Sequence, residues 1–518
     1  MRMKRIMILV LPLLMTSISG CSSKGEKFVR NSNENGSMSY EIFVRSFYDS
    51  NEDGIGDLNG VKVKIPYLYD LGIKTVWLTP IHKSPSYHGY DVSNYYTVNT
   101  QFGTLEDFDA LVEEANKYHI DIMLDMVFNH CSNKNKYFTD SYEDYKNNNT
   151  SETSKANWFN WSETSKDGYN KYNDLYYESR FSSSMPDFNL DSEGVRKEID
   201  NIMKFWIVDH KVKGFRLDAV LYYYYMNSNK NIEFLTWLEE TAHKYDENFY
   251  MVGEAWDDAE VVNNYHNSKL DSFFRFDGAI NGDFYSIPSL AKATSSPNKI
   301  ASIEENETKV KENNPHGYSS YFLSNHDQDR VNASFTLEQS KCAASLLCLM
   351  PGTPFMYYGE EIMLKGKRGD KDNTDALRRL PMIWKEKDKV GECRFPEKNK
   401  EYLFDGDQVK EGAEDLLKDS NSLVNHYKKV INIRNKYPFM KNGVFKSLSN
   451  DITAKGTFGY QISLDNEYVN IYHNFSEKSA TIKVSGTTIV DQINISKTGS
   501  SLKGDQLTLS PYSSVIIK

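Results

Sequence analysis

The sequence predicts an α/β protein: a (β/α)8 barrel, a small domain inserted after the third strand, and a C-terminal antiparallel β-sandwich. Three observations predict it. Short apolar, β-prone runs recur tens of residues apart from Tyr40 onward, each followed by an amphipathic stretch, which suggests a parallel barrel or a doubly wound sheet. The runs number eight, and eight favours the closed barrel. From about Pro438 the pattern shifts to alternating apolar and polar residues, as in a sheet with one face in a core.

The elements follow in chain order. Residues 1–20 place Arg2, Lys4 and Arg5 before a mostly apolar run from Ile6 to Met15, the order of a secretory signal and too short to span a bilayer comfortably. Ile18-Ser19-Gly20-Cys21 follows, small residues before a cysteine, which resembles the bacterial lipobox. It predicts lipidation of Cys21 and anchoring at the extracellular face of the membrane. Residues 21–39, rich in Ser, Asn, Gly, Lys and Glu, read as a flexible tether.

The barrel is expected over 40–437, with strands at Tyr40–Ser46, Thr75–Thr79, Ile120–Phe128, Gly214–Val220, Phe249–Ala255, Ser272–Phe276, Tyr321–Asn325 and Pro354–Tyr358. One crossover helix is legible in detail: Thr104 is an N-cap, Asp107 sits three residues on, and Leu105, Phe108, Leu111, Val112 and Ala115 form an apolar stripe. About residues 131–189 the pattern breaks into a polar segment rich in Asn and Tyr. That is too long for a bare loop and reads as an inserted domain. A helix around Val424–Tyr437 closes the barrel region. Residues 438–518 form the sandwich, with runs at Gly459–Leu464, Tyr468–Tyr472, Thr481–Val484 and Ser513–Ile517.

At 518 residues with a formal charge of −11, the chain is too large for a peptide hormone or a single binding module and has no uniformly basic surface for a phosphate backbone. Nucleic acid is thereby excluded as the main partner. Cys131, Cys342, Cys348 and Cys393 give no disulfide framework. Cys342 and Cys348 stand about 9 Å apart along a helix, too far to bridge, and all four are expected as buried thiols.

Chemistry gathers at the predicted strand ends: Asp125 and His130 at the third, Asp218 at the fourth, Glu254 at the fifth, His326 and Asp327 at the seventh. A barrel brings these ends to one mouth. Arg216 and Asp218 are two apart on a strand and face the same side, where the guanidinium would keep a carboxylate ionised, as a nucleophile requires. Glu254, between Gly253 and Ala255-Trp256, has an apolar setting that raises a carboxyl toward the range of a general acid. Two carboxyls tuned in opposite directions are the machinery of glycoside hydrolysis.

The segments Asp125-Met126-Val127-Phe128-Asn129-His130, Gly214-Phe215-Arg216-Leu217-Asp218-Ala219, Gly253-Glu254-Ala255-Trp256 and Phe322-Leu323-Ser324-Asn325-His326-Asp327 resemble, in order and spacing, the α-amylase family, glycoside hydrolase family thirteen. The resemblance runs from Tyr40 through the sandwich. It implies that Asp218 is the nucleophile, Glu254 the acid/base and Asp327 the third carboxylate, holding sugar hydroxyls. Arg216, His130 and His326 would line the same subsite, and Tyr90, in His88-Gly89-Tyr90-Asp91, resembles the family's stacking tyrosine, with Asp91 beside it.

In Asp49-Ser50-Asn51-Glu52-Asp53-Gly54-Ile55-Gly56-Asp57, oxygen donors fall at positions one, three, five and nine, a carbonyl at seven from Ile55 and a glycine at six. That is the ligand spacing of a calcium loop, although Gly60 replaces the usual acid at twelve. It resembles the family's loop after the first strand and implies Ca²⁺ on Asp49, Asn51, Asp53, Ile55 and Asp57. Asn129 matches a second family calcium ligand, but Tyr222 stands where the family carries a histidine.

Met185-Pro186-Asp187-Phe188-Asn189-Leu190 resembles a signature intermediate between amylase, oligo-1,6-glucosidase and neopullulanase relatives. The expectation is a retaining α-glucan hydrolase, an α-amylase acting within starch and maltodextrins. An exo-acting α-glucosidase, oligo-1,6-glucosidase or neopullulanase-like enzyme is the alternative. A non-catalytic glycan-binding lipoprotein stands further off, because all three carboxylates are present.

Overall fold

The computed structural model describes residues 38–279, 286–294, 299–369, 374–387, 389–395, 408–496 and 498–518. Cys21, the expected signal and all but the end of the expected tether lie outside the described residues.

Eight parallel strands form one sheet: β1 (Ser39–Ile42), β2 (Thr75–Leu78), β3 (Asp121–Met126), β4 (Gly214–Leu217), β5 (Tyr250–Gly253), β6 (Ser272–Phe274), β7 (Tyr318–Ser320) and β8 (Phe355–Tyr357). Strands β1 to β7 pair in sequence order, and β8 pairs with β1. Closure between β7 and β8 comes from Thr353 N–H donating to Ser319 O at 3.1 Å and Phe355 N–H donating to Tyr321 O at 2.7 Å. The protein is therefore a (β/α)8 barrel.

The period of two along each strand sorts its side chains. Trp77, Met123, Val252, Phe274 and Phe355 point inward and pack into one buried cluster that fills the lumen. On β3, β4 and β5 the inward residue nearest the C-terminal end is polar: Asp125, Arg216 and then Asp218, and Glu254 just past β5. Apolar packing below and charge above is what places a reactive group at the mouth.

The fourth strand ends at Leu217 rather than Val220, which begins a 3-10 turn, and two others differ more. The first ends at Ile42, and Val44–Ser46 winds into a 3-10 turn. The seventh lies at Tyr318–Ser320 rather than Tyr321–Asn325. Ser319 and Ser320 do not resemble an apolar run, yet both are buried. The Ser320 hydroxyl is satisfied inside the barrel, donating to Ser272 Oγ at 2.9 Å, while the Tyr250 hydroxyl meets Ser272 Oγ at 2.7 Å. After Phe322, which bridges to Phe355, the chain leaves the ladder.

The crossover helix Leu105–Lys117 carries the expected capping box. Thr104 Oγ1 accepts the Asp107 amide at 3.2 Å, and Asp107 Oδ2 accepts the Thr104 amide at 2.9 Å. Between β3 and β4 the insert folds as a helix, Lys136–Lys146, on a three-stranded antiparallel sheet of Trp161–Ser162, Leu175–Glu178 and Tyr169–Tyr172. Phe138, Trp161, Tyr172 and Tyr177 form its aromatic core. Bridges His130–Asp187 and Phe159–Phe188 tie it back to the end of β3.

After the helix Leu423–Arg434 come β9 (Val444–Ser447), β10 (Thr457–Leu464), β11 (Glu467–Asn474), β12 (Ala480–Lys483), β13 (Ile489–Asn494), β14 (Ser501–Lys503), β15 (Gln506–Leu509) and β16 (Ser513–Ile517). They make two antiparallel sheets, β9-β10-β11-β16-β13 and β12-β15-β14. Alternation decides the packing. Val515 and Ile517 join Leu507, Leu509 and Ile482 between the sheets, while Val469, Ile471 and Ile516 join the main core against the barrel. Arg434, fully buried, ties the last barrel helix to the turn before β8 by donating to the carbonyls of Cys348, Met350 and Gly352. The four cysteines are free and buried. Among the described residues no helix is long and apolar enough to cross a membrane.

Candidate functional site

At the barrel mouth one guanidinium meets three carboxyl groups. Arg216, 1% exposed, places Nη1 2.8 Å from Asp125 Oδ1 and 2.6 Å from Asp218 Oδ1, and Nη2 2.7 Å from Glu254 Oε1. The backbone follows the same plan. Asp218 N–H donates to Met126 O at 3.1 Å and Glu254 N–H to Leu217 O at 3.0 Å, extending the ladder to the reactive residues themselves. Ala219 then turns left-handed, φ 50°, and aims its amide at Glu254 Oε2, 2.9 Å away. A non-glycine residue adopts that conformation only where its surroundings hold it, and here the gain is a fixed donor on Glu254.

The electrostatics separate these groups. Burial, together with the charges of Asp218 and Asp327, pushes Glu254 up to about 8 against the pull of Arg216. Burial likewise pushes Asp125 up to about 7, opposed by Arg216. Asp327 moves the other way: burial would raise it, but His326, Arg379 and Arg216 hold it well below the usual carboxylate range. A protonated carboxyl, Glu254, and an ionised one, Asp327, thus stand around one cleft at neutral pH, a division suited to acid/base chemistry on a glycosidic oxygen.

Tyr90 and His326 complete this cluster. The Tyr90 hydroxyl donates to Asp125 Oδ2 at 2.9 Å and lies 2.6 Å from His326 Nε2. The two rings stack with centroids 5.5 Å apart, and Asp327 Oδ2 is 3.1 Å from the same Nε2. His130 is buried beside the exposed Phe181, centroids 5.3 Å apart. Its Nε2 makes no hydrogen bond among the described residues, and burial lowers its pKa. A neutral imidazole with an open nitrogen is suited to a sugar hydroxyl. Asp91 stands apart from the carboxylate ring; it accepts Ser84 Oγ at 2.6 Å and also Ser86 Oγ, and so ties its own loop.

Three features escaped the sequence reading. Arg379 donates to Asp327 Oδ1 at 2.7 Å and to His326 O at 2.9 Å from a loop 52 residues further on, and nothing in the local pattern marks it. Glu41, buried on β1, meets His326; a lone acid in the apolar run Tyr40–Val44 was its signal. Aromatic rings line the rim: Phe181 against Tyr222 at 4.5 Å, Tyr222 on Tyr225 at 5.7 Å, Arg180 over Tyr225 at 4.4 Å, and half-exposed Trp256 stacked on Phe276 at 4.8 Å.

In the loop after β1, Asp49 accepts the amides of Asn51, Glu52 and Gly54, Asn51 Oδ1 accepts that of Asp53, and Asp53 Oδ1 that of Ile55. Asp57 is engaged elsewhere. Its oxygens cap the helix Leu58–Val63 through Gly60 N–H at 2.7 Å and accept the Ser50 amide and hydroxyl. Among the described residues no three His, Cys, Asp or Glu side chains gather as a metal-binding group.

Comparison with known proteins agrees with this architecture. Residues 41–443 match the α-amylase catalytic domain, and residues 458–516 match the C-terminal domain of the α-amylase SusG. The chain is 32% identical over 520 residues to Alpha-amylase 3 of Dictyoglomus thermophilum, covering 99% of this chain and 98% of that protein. It is 29% identical to an oligo-1,6-glucosidase of Parageobacillus thermoglucosidasius, over 86% and 91% of the two chains. Among solved structures, Amy13B of Eubacterium rectale superposes with a TM-score of 0.85 at 33% identity, over 93% of this chain and 95% of that one. With its barrel, its carboxyl cluster and its sandwich all accounted for, the chain belongs to the α-amylase family and is an α-glucan hydrolase.

Proposed function

We propose that the protein is an endo-acting α-amylase that cleaves α-1,4 bonds of starch and maltodextrins with retention, through a covalent glycosyl-enzyme. The observation that carries the retaining chemistry is the single Arg216 guanidinium shared by Asp218 and Glu254. Sharing it brings the two carboxyls to one cleft, the pair that a retaining hydrolase uses as nucleophile and acid/base.

In the first step Glu254 gives its proton to the leaving glycosidic oxygen while Asp218 attacks the anomeric carbon. Arg216 Nη1, 2.6 Å from Asp218 Oδ1, holds the attacking carboxyl in place, and Asp327, held ionised by its cations, grips hydroxyls of the sugar most strongly as the ring flattens toward the oxocarbenium-like state. In the second step Glu254, now a carboxylate, takes a proton from water, the water attacks the same carbon, and Asp218 is released. Endo-action is supported by the aromatic rim. Phe181, Tyr225 and Trp256 present half-exposed faces around the cleft, suited to stacking on sugar rings, and the end-to-end likeness to an α-amylase points the same way. The relative that is an oligo-1,6-glucosidase keeps exo-action on α-1,6 bonds as the second reading.

We also assign Ca²⁺ to the loop after β1. Asp49, Asn51 and Asp53 each accept backbone amides, which leaves further lone pairs for a hard cation, and the Ile55 carbonyl completes the set. Asp57, committed to its helix cap, is the poorest member. The ion would act structurally, as a clip on the barrel mouth.

Four outcomes are expected. Asp218→Asn or Glu254→Gln lowers kcat by several orders of magnitude with the fold retained, and wild-type kcat/KM falls as pH rises through about 8, because Glu254 must hold its proton and burial keeps it there up to that pH. Near-normal turnover of either variant contradicts the assignment. Maltoheptaose blocked at its non-reducing end is cut to mid-length fragments; glucose released only from unblocked maltose or isomaltose moves the reading to the exo-acting alternative. Millimolar Ca²⁺ raises the thermal midpoint of chelator-treated protein, whereas an Asp49→Asn, Asp53→Asn double variant is unmoved; a wild-type midpoint indifferent to Ca²⁺ removes the ion from the account.

A further inference from the structure

We propose that Glu41, on β1, is a positioning residue for the reaction: it holds His326 as a doubly protonated imidazolium, and through that ring fixes Asp327 and Tyr90 against the bound sugar. The inference rests on the catalytic reading of the site given above.

The hydrogen-bond directions carry it. Tyr90 has one hydroxyl proton, and its oxygen lies 2.9 Å from Asp125 Oδ2 and 2.6 Å from His326 Nε2. Asp327 Oδ2 lies 3.1 Å from the same nitrogen, and His326, Arg379 and Arg216 hold that carboxylate ionised, so Nε2 carries a hydrogen and the Tyr90 oxygen sits beside it as an acceptor. On the other side of the ring, Nδ1 is 2.5 Å from Glu41 Oε1, a carboxylate oxygen that also accepts the His326 amide at 3.3 Å. Both ring nitrogens therefore donate, which only the imidazolium can do. Neither side chain of this pair reaches solvent beyond 2%, so water cannot stand in for Glu41.

The groups around the ring are few. Glu41 faces it from β1, Trp77 packs edge-on from β2 with centroids 5.7 Å apart, and Tyr90 stacks from the loop after β2. Asp327 follows it in the chain, and Arg379 donates to the His326 carbonyl and to Asp327 from the loop after β8. Behind Tyr90 stand Asp125 and Arg216. Burial alone would empty the imidazole of its second proton; Asp327 and Glu41 overcome it and push His326 up to about 10. Among the described residues Glu41 is one of two carboxylates in contact with the ring, and it lies on the side away from Asp327.

The test uses isosteric and charge-retaining variants of the full chain. Glu41→Gln keeps an acceptor for Nδ1 but removes the charge, so His326 becomes neutral within the working range. The expected result is kcat/KM close to wild type near pH 5 and an alkaline limb moved at least one unit toward acid, which costs about tenfold near pH 8. Glu41→Asp restores the position of that limb even if its rate is lower. A Glu41→Gln limb that does not move, or an equal shift in both variants, overturns the proposal. Nitrogen-15 spectra of the imidazole in wild-type protein give an answer that does not depend on activity or on the variants folding: His326 should hold both protons from pH 5 to 9, and neutralisation below pH 7 overturns the proposal even if the catalytic reading stands.

Discussion

The site depends on one buried cation. Arg216 has almost no access to water, and its charge is acceptable there only because Asp125, Asp218 and Glu254 surround it within 2.6–2.8 Å. Removing one member of such a group leaves an uncompensated buried charge, at a cost of about 3–5 kcal/mol. The three carboxyls come from the ends of three adjacent strands, so the guanidinium also fixes how β3, β4 and β5 end relative to one another. Stability of the mouth and geometry of the reaction are here the same set of contacts.

The wider balance of charge explains why the carboxyls differ. Five acids cluster at the mouth, Glu41, Asp125, Asp218, Glu254 and Asp327, against three cations, Arg216, His326 and Arg379. A buried cluster cannot carry that excess of negative charge cheaply, and protons make up the difference. A proton settles on Glu254, where burial and the charges of Asp218 and Asp327 outweigh the pull of Arg216, and Asp327, which has His326 and Arg379 beside it, stays ionised. The general acid is thus a consequence of the charge count around it as much as of its own apolar neighbours.

Much of this was legible in the sequence because it rests on local period and on strand ends. Arg216 and Asp218 two apart, Glu254 after an apolar run, and His326-Asp327 at the end of another pointed to groups that the fold does bring together at the mouth, and the Thr104–Asp107 box gave a helix start to the residue. What was illegible depends on distance along the chain or on polar burial. Arg379 meets Asp327 only through the fold. The seventh strand lies three residues earlier than expected because Ser319 and Ser320 do not form an apolar run, and the Ser320 hydroxyl is satisfied inside the barrel by Ser272 on the neighbouring strand. Asp91 lies beside the motif that named it, yet its carboxylate is taken up by Ser84 and Ser86. Asp57 fits the spacing of a calcium loop, but a helix N-terminus beginning one residue later competes for the same oxygens.

The central claim is that Asp218 forms the bond to the sugar while Glu254 manages the proton. It is tested most directly by trapping the intermediate with a 5-fluoro-α-maltosyl fluoride and locating the adduct by peptide mass spectrometry. The account predicts one glycosyl group on Asp218, in the peptide beginning at Leu217 after cleavage at Arg216. A glycosyl group on Glu254 or Asp327, or steady turnover of the reagent by an enzyme that never carries an adduct, would contradict it.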